Sequence, residues 1–179
     1  QYLLGFIRSL GLFLAKSEDK ENITRFRELV EINFEELKSL ERSYEYLGYS
    51  KENLESSKPY LATESYISFL LRQGYESTKF EVLGAILPCD WIFADIGNKL
   101  ADRTPNHERE EKKVYLKWIE SYASEEYQDW IRELREEVDE KYKEASKQEI
   151  ERFKKNFATG LKFEHAFLES VYNLSEDSV

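Results

Sequence analysis

The sequence predicts an all-α fold, a single-domain antiparallel helical bundle spanning residues 1–179. Three observations predict it. Apolar residues recur at three- and four-residue spacing through every long segment, and none alternates apolar and polar residues like a half-buried strand. Lysines and glutamates interleave along those segments, as they do on solvated helix faces. Seven glycines and three prolines are few, and several mark the ends of the periodic segments.

A first helix is expected over about residues 1–16, apolar but interrupted by Arg8. A long amphipathic helix follows over about 20–47, its stripe running through Phe26, Leu29, Val30, Ile32, Phe34, Leu37, Leu40, Tyr44 and Leu47. Gly48 closes it as a C-terminal cap, and a polar loop leads to Pro59. A third helix covers about 60–73 and ends at Gly74; a fourth covers about 78–101 and contains Pro88. A polar stretch around Pro105, Asn106 and His107 precedes a fifth helix over about 109–123. Ser124 starts a sixth helix that reaches about 144, and Ser146 or Lys147 starts a seventh that reaches about 173.

Composition excludes several functions. A formal charge of −10 argues against nucleic acid, whose phosphates need clustered lysine and arginine. No run reaches the roughly 18 uncharged apolar residues of a membrane span, and no cleavage pattern makes the opening run a leader. A lone cysteine forms no internal disulfide and suits a reducing cytoplasm. The chain lacks methionine and opens in mid-helix, so it reads as part of something longer. The exposed aromatics expected at Tyr127, Trp130 and Tyr142 suit subunit contacts.

Chemistry is sought among polar groups on inward faces. Cys89 follows Pro88, which removes a helical hydrogen bond and frees the Gly84 carbonyl. Val82, Ala85, Ile86, Cys89, Phe93 and Ile96 share one face, so the thiol points inward. On the last helix Phe157, Leu161, Glu164, Leu168 and Val171 define an apolar stripe that carries Glu164 inside. Ala62, Tyr66, Phe69 and Gln73 line up on the third helix, and Trp118, Ile119 and Tyr122 on the fifth. Two readings stand for each group. The thiol is a small inert hydrophobe or a nucleophile, and the carboxyl is a satisfied core acid or a proton donor with a raised pKa. A bundle interior with such groups suits a flat aromatic ligand. Neither His107 nor His165 has a glutamate three residues earlier, so no di-iron carboxylate motif is present. No metal and no cofactor is expected, with a haem held by one histidine kept as a competing reading.

Three segments resemble the TenA/thiaminase II family: Leu-Pro-Cys-Asp-Trp-Ile-Phe-Ala-Asp-Ile-Gly at 87–97, Tyr115 to Tyr122, and Phe157 to Phe167. The opening Tyr2-Leu3-Leu4-Gly5-Phe6 is also similar to that family. The resemblance implies a haem-oxygenase-like helical fold whose first helices are missing here, commonly tetrameric. It implies hydrolysis of the C–N bond at the pyrimidine methylene of 4-amino-5-aminomethyl-2-methylpyrimidine, or of thiamin, in thiamin salvage. Carried over by position, Cys89 is the nucleophile, Glu164 the acid/base group and Tyr66 the tyrosine beside the thiol. Tyr2 stacks on the pyrimidine, Tyr122 is a pocket tyrosine, and Phe93 stands where relatives often have tyrosine. Asp90 replaces an aromatic or apolar residue, and the family's upstream aspartate is absent. A non-catalytic pyrimidine-binding or regulatory protein of the same fold is the alternative.

Overall fold

Side-chain caps set where most of the helices begin. The computed structural model describes residues 1–103 and 113–173. The elements are α1 (Tyr2–Lys16), α2 (Lys20–Tyr46), α3 (Lys51–Ser56), α4 (Leu61–Glu76), α5 (Lys79–Arg103), α6 (Lys113–Ala123), α7 (Glu125–Glu144) and α8 (Lys147–Tyr172). The Asn22 N–H donates to the Asp19 side chain at 2.8 Å ahead of α2. Ser124 accepts from the Tyr127 N–H ahead of α7. Ser146 and Glu149 satisfy each other's backbone N–H ahead of α8. Thr78 and Glu81 do the same for α5, at 3.0 and 3.4 Å. Each such cap is worth roughly 1 kcal/mol. Gly48 closes α2 with φ of 89°, a left-handed conformation that favours glycine.

α5 is the centre of the molecule. Phe80 to Asp90 are all buried, so this stretch is enclosed on every side rather than amphipathic. It packs against α8, α6, α7 and α4, while α1 lies against α2 and α4. Pro88 sits inside α5 without ending it. The α5–α8 pair approaches closely because both helices present glycine. A Cβ on Gly84 would lie 2.5 Å from the Phe153 carbonyl oxygen, and one on Gly160 would lie 2.8 Å from the Pro88 ring. The Asn156 side chain ties α8 to α5 by donating to the Glu81 carbonyl at 2.8 Å. Phe6, Leu10, Phe13, Tyr66, Leu70 and Ile86 fill the core, each contributing about 1.5–3 kcal/mol on burial.

The expected order of seven long helices is present, with corrections. The polar loop before Pro59 contains α3, started by a reciprocal cap between Ser50 and Asn53. Residues 109–112 of the expected fifth helix, with Pro105, Asn106 and His107, lie outside the described residues. The buried stripe of α8 runs through Asn156, Gly160 and Glu164, flanked by Phe153, Phe157, Phe163 and Phe167; Leu161 and Val171 are exposed. Small Gly160 and polar Asn156 take the closest approach to α5, so the apolar pattern misplaced that face while still carrying Glu164 inside. On α2, Phe26, Leu29 and Asn33 are buried, but Ile32, Phe34, Tyr44 and Leu47 face outward. Tyr127 and Trp130 are part-buried rather than exposed; their rings pack 6.0 Å apart, and Tyr127 turns its hydroxyl inward. Among the described residues no helix is long and apolar enough to cross a membrane.

Candidate active site

The buried thiol of Cys89 is shared by two sets of polar side chains. The first comes from α1, α4 and α8. Tyr2 stands at the start of α1, where its ring lies 5.2 Å from the rings of both Tyr66 and Phe167. Tyr66, on the buried face of α4, stacks on Phe163 at 5.4 Å. Glu164 lies one helical turn beyond Gly160, the residue that rests on Pro88, so the α5–α8 contact carries its carboxyl toward the thiol. Glu164 and Tyr66 are each 0% exposed and Cys89 is 8% exposed.

Hydrogen bonding in this set is incomplete. The Tyr2 hydroxyl donates to Oε1 of Glu164 at 3.5 Å, and the Cys89 thiol lies close enough to that carboxyl to shift its pKa. Tyr66 and Glu164 are close enough to shift each other's acidity, yet the Tyr66 hydroxyl and Oε2 of Glu164 complete no hydrogen bond. Buried polar atoms without partners are costly, about 1–3 kcal/mol each. Two of them side by side call for an explanation, of which a catalytic role is one.

Burial raises the pKa of Glu164, with the nearby Tyr66, Cys89 and Tyr2 side chains holding it back. Burial also pushes the Cys89 thiol well above its ordinary value, reinforced by the charges of Glu164 and Asp90 and opposed by a hydrogen bond from Tyr2. The unliganded thiol is therefore protonated at neutral pH, and its anion forms only as its proton moves to a neighbour. Tyr2 also lies close enough to the thiol for each to shift the other's pKa.

The second set comes from α2, α5, α6 and α7. The Tyr122 hydroxyl donates to Oε1 of Glu36 in a short hydrogen bond. Tyr127 donates to the Asp90 carbonyl at 3.4 Å and to Oδ1 of Asp90 at 3.5 Å. The two tyrosine rings meet edge to face at 5.0 Å. Burial lifts Asp90 well above the carboxylate range, and the Glu36 and Glu164 charges push it further. Glu36 is also raised by burial, against the donation from Tyr122.

Cys89, Glu164, Tyr66 and Tyr2 are thus brought together, and Tyr122 joins from the other side, where the thiol charge acts on it. Phe93 stands one layer back, its ring 5.2 Å from Tyr122 and 5.9 Å from Trp118. His165 is exposed on α8, turned roughly 100° from Glu164 as its adjacent position requires. Sequence reasoning missed Glu36 and Tyr127 and noted Asp90 only as a departure. A signal existed for Glu36, which continues the buried spacing of Phe26, Leu29 and Asn33 on α2. The open groove lined by Pro88, Trp91, Ile92, Asp95, Phe157 and Leu161 contains none of the cluster.

Comparison with known proteins places this arrangement. An aminopyrimidine aminohydrolase of Halalkalibacterium halodurans is 30% identical over 176 residues, covering 96% of this chain and 76% of that protein. One from Helicobacter pylori is 28% identical over 172 residues, covering 96% of this chain and 78% of that protein. Among solved structures, a TenA homologue from P. horikoshii superimposes with a TM-score of 0.80 at 29% identity, over 96% of this chain and 77% of its own. A TenA homologue from Pyrococcus furiosus shares the fold at 18% identity with a TM-score of 0.83, over 94% of this chain and 77% of its own. The TENA/THI-4/PQQC family profile matches residues 1–174, a span that includes every helix bearing the thiol, the carboxyls and the tyrosines, and the chain belongs to that family.

Proposed function

We propose that this chain is a hydrolase of thiamin salvage that cleaves the C–N bond at the pyrimidine methylene of 4-amino-5-aminomethyl-2-methylpyrimidine. Cys89 is the nucleophile and Glu164 the acid/base group. The observation that carries the reading is the pair of fully buried, unpartnered atoms, the Tyr66 hydroxyl and Oε2 of Glu164, beside a buried thiol. An aminopyrimidine offers nitrogen donors and acceptors on a flat ring to such atoms. Relatives named aminopyrimidine aminohydrolases, 28–30% identical over 96% of the chain, support the same reaction.

The chemistry follows from the raised pKa values of Glu164 and Cys89. Glu164 accepts the thiol proton and passes it to a ring nitrogen, so the ring becomes electrophilic as the sulfur becomes anionic. The thiolate adds to the adjacent ring carbon. The exocyclic C–N bond then breaks, its electron pair leaving with the amine, and an exocyclic methylene forms. Water adds to that methylene, the proton returns through Glu164, and the thiol is expelled with the hydroxymethyl product. Tyr2 stabilises the anionic sulfur and Tyr66 holds the ring edge, while Tyr122 and Phe93 wall the opposite side. Self-association into the tetramer that the family resemblance implies is proposed to cover the outward apolar residues Ile32, Phe34 and Tyr44 of α2.

The test is hydrolysis of the aminomethylpyrimidine by the chain and by Cys89→Ser. The variant is expected to lose turnover by about 10³-fold or more while still binding substrate. Equal rates would remove the nucleophile. Binding without turnover by the unsubstituted chain would instead favour a non-catalytic pyrimidine-binding protein.

A further inference from the structure

We propose that Asp90 and Glu36 form an anionic subsite, beside Cys89 and distinct from the Glu164 ring site, that holds the positively charged primary amine of the substrate. The proposal rests on the preceding function and names what reads the leaving group.

Asp90 follows Cys89 on α5 and so points about 100° away from it around the helix. Cys89 is turned to the α1, α4 and α8 set, and Asp90 to Tyr127 of α7. Glu36 reaches the same region from α2, with Tyr122 of α6 as its donor, and its charge acts on Asp90. Asp90 is 8% exposed. Glu36 is part-buried, and carboxyls withdrawn from water in this way normally have a cation beside them, because the loss of hydration costs several kcal/mol. Among the described residues, the groups acting on Asp90, Glu36, Glu164 and Cys89 are one another and tyrosines, with no lysine, arginine or histidine among them. The phenols supply one hydroxyl hydrogen each, which leaves most of the carboxyl lone pairs to another donor.

A second observation points to a ligand at this thiol. The Tyr66 hydroxyl and Oε2 of Glu164 are fully buried without partners, on the face of Cys89 turned to α4 and α8. A ring bound there and attacked by the sulfur carries its exocyclic substituent past Cys89, toward Asp90. A primary ammonium brings three N–H donors and one positive charge to a pair of carboxyls that burial holds protonated in its absence and that its charge allows to ionise. It leaves as neutral ammonia, taking the bond pair onto nitrogen. The hydroxymethyl product carries no charge, so the subsite distinguishes substrate from product. A thiazolium group has the charge but no N–H to give, so it fills the subsite less well.

The experiment measures binding alone, by titration calorimetry on the Cys89→Ser chain at pH 7. The probes are 4-amino-5-aminomethyl-2-methylpyrimidine and its neutral hydroxymethyl counterpart. The amine is expected to bind at least about tenfold more tightly. Asp90→Asn or Glu36→Gln, added separately, is expected to reduce that preference to about twofold or less, with hydroxymethyl binding nearly unchanged. Thermal melts identify a variant that fails to fold, in which case the other decides. A preference that survives both substitutions overturns the subsite, as does equal weakening of both probes. Equal affinity for the probes before either substitution overturns the subsite but leaves the ring site standing. Failure of both probes to bind overturns the proposed function itself, and the subsite with it.

Discussion

Gly160 of α8 rests directly on Pro88 of α5, so close that a Cβ on the glycine would lie 2.8 Å from the proline ring. The contact matters because the next residue after Pro88 is the thiol, and Glu164 is one turn beyond Gly160. Proline presents a flat ring instead of an N–H, and glycine presents no side chain, so the two helix surfaces come together there. The separation of the proposed nucleophile and acid/base group is set by the same packing that holds α5 to α8.

Replacing these glycines is therefore expected to damage stability and activity together. Gly84→Ala drives a methyl to 2.5 Å from the Phe153 carbonyl oxygen, a backbone atom that cannot rotate aside. Overpacking of this kind costs about 1–3 kcal/mol, or about 2–4 °C in Tm per kcal/mol for a chain of this size. Gly160→Ala meets the proline ring and displaces Glu164 from the thiol, so kcat falls more than its Tm loss explains. Thermal melts beside steady-state kinetics check both. A Gly84→Ala protein with unchanged Tm would contradict the close approach.

The pH–rate profile should be a bell displaced upward on both sides. The Cys89–Glu164 pair works while it holds one proton between its two members. Burial raises Glu164, so the second proton is lost only above the ordinary glutamate range, and the acid limb shifts up. Burial and the neighbouring carboxylates raise Cys89, so the alkaline limb lies above about 8.5, the ordinary cysteine value. Glu164→Gln should remove the acid limb and lower kcat by about 10²–10⁴-fold. A carboxyl raised in the folded state stabilises the fold at low pH, and that contribution is lost as pH rises through its folded value. The Tm of Glu164→Gln relative to the unsubstituted chain should accordingly rise with pH between 5 and 8. A difference that stays flat would contradict a raised carboxyl.

Tyrosine substitutions separate the two donors around the thiol. Tyr2→Phe removes the hydroxyl that favours the sulfur anion, so the alkaline limb should move further up while substrate affinity changes little. Tyr66→Phe deletes a hydroxyl that has no partner in the free protein, so it should cost no stability and raise Tm slightly. Its loss should appear in KM, because the partner it lacks is the ligand. Identical kinetic effects of the two substitutions would end the division of roles.

Much of the helical order was readable because caps and periodicity act locally. Ser124 and Ser146 announced α7 and α8, Gly48 closed α2, and Cys89 and Glu164 fell on inward faces. The short α3 escaped notice since six residues hold too few apolar positions to show a period, although its cap at Ser50 and Asn53 was present. The α8 face was misplaced by one position because its closest contact uses glycine and asparagine, which an apolar pattern does not count.

By itself, then, the sequence determined the helices, their order, and the inward direction of the thiol and the Glu164 carboxyl, since each depends on residues within a turn or two of one another. Only the tertiary structure decided that Glu36, Asp90, Tyr122 and Tyr127 gather on a second side of Cys89, and that the Tyr2 hydroxyl reaches the Glu164 carboxyl. Those relations join α1, α2, α5, α6 and α7 across long stretches of chain. They are fixed by how far the glycine-lined surfaces of α5 let its neighbours approach, a quantity that no local pattern of residues records.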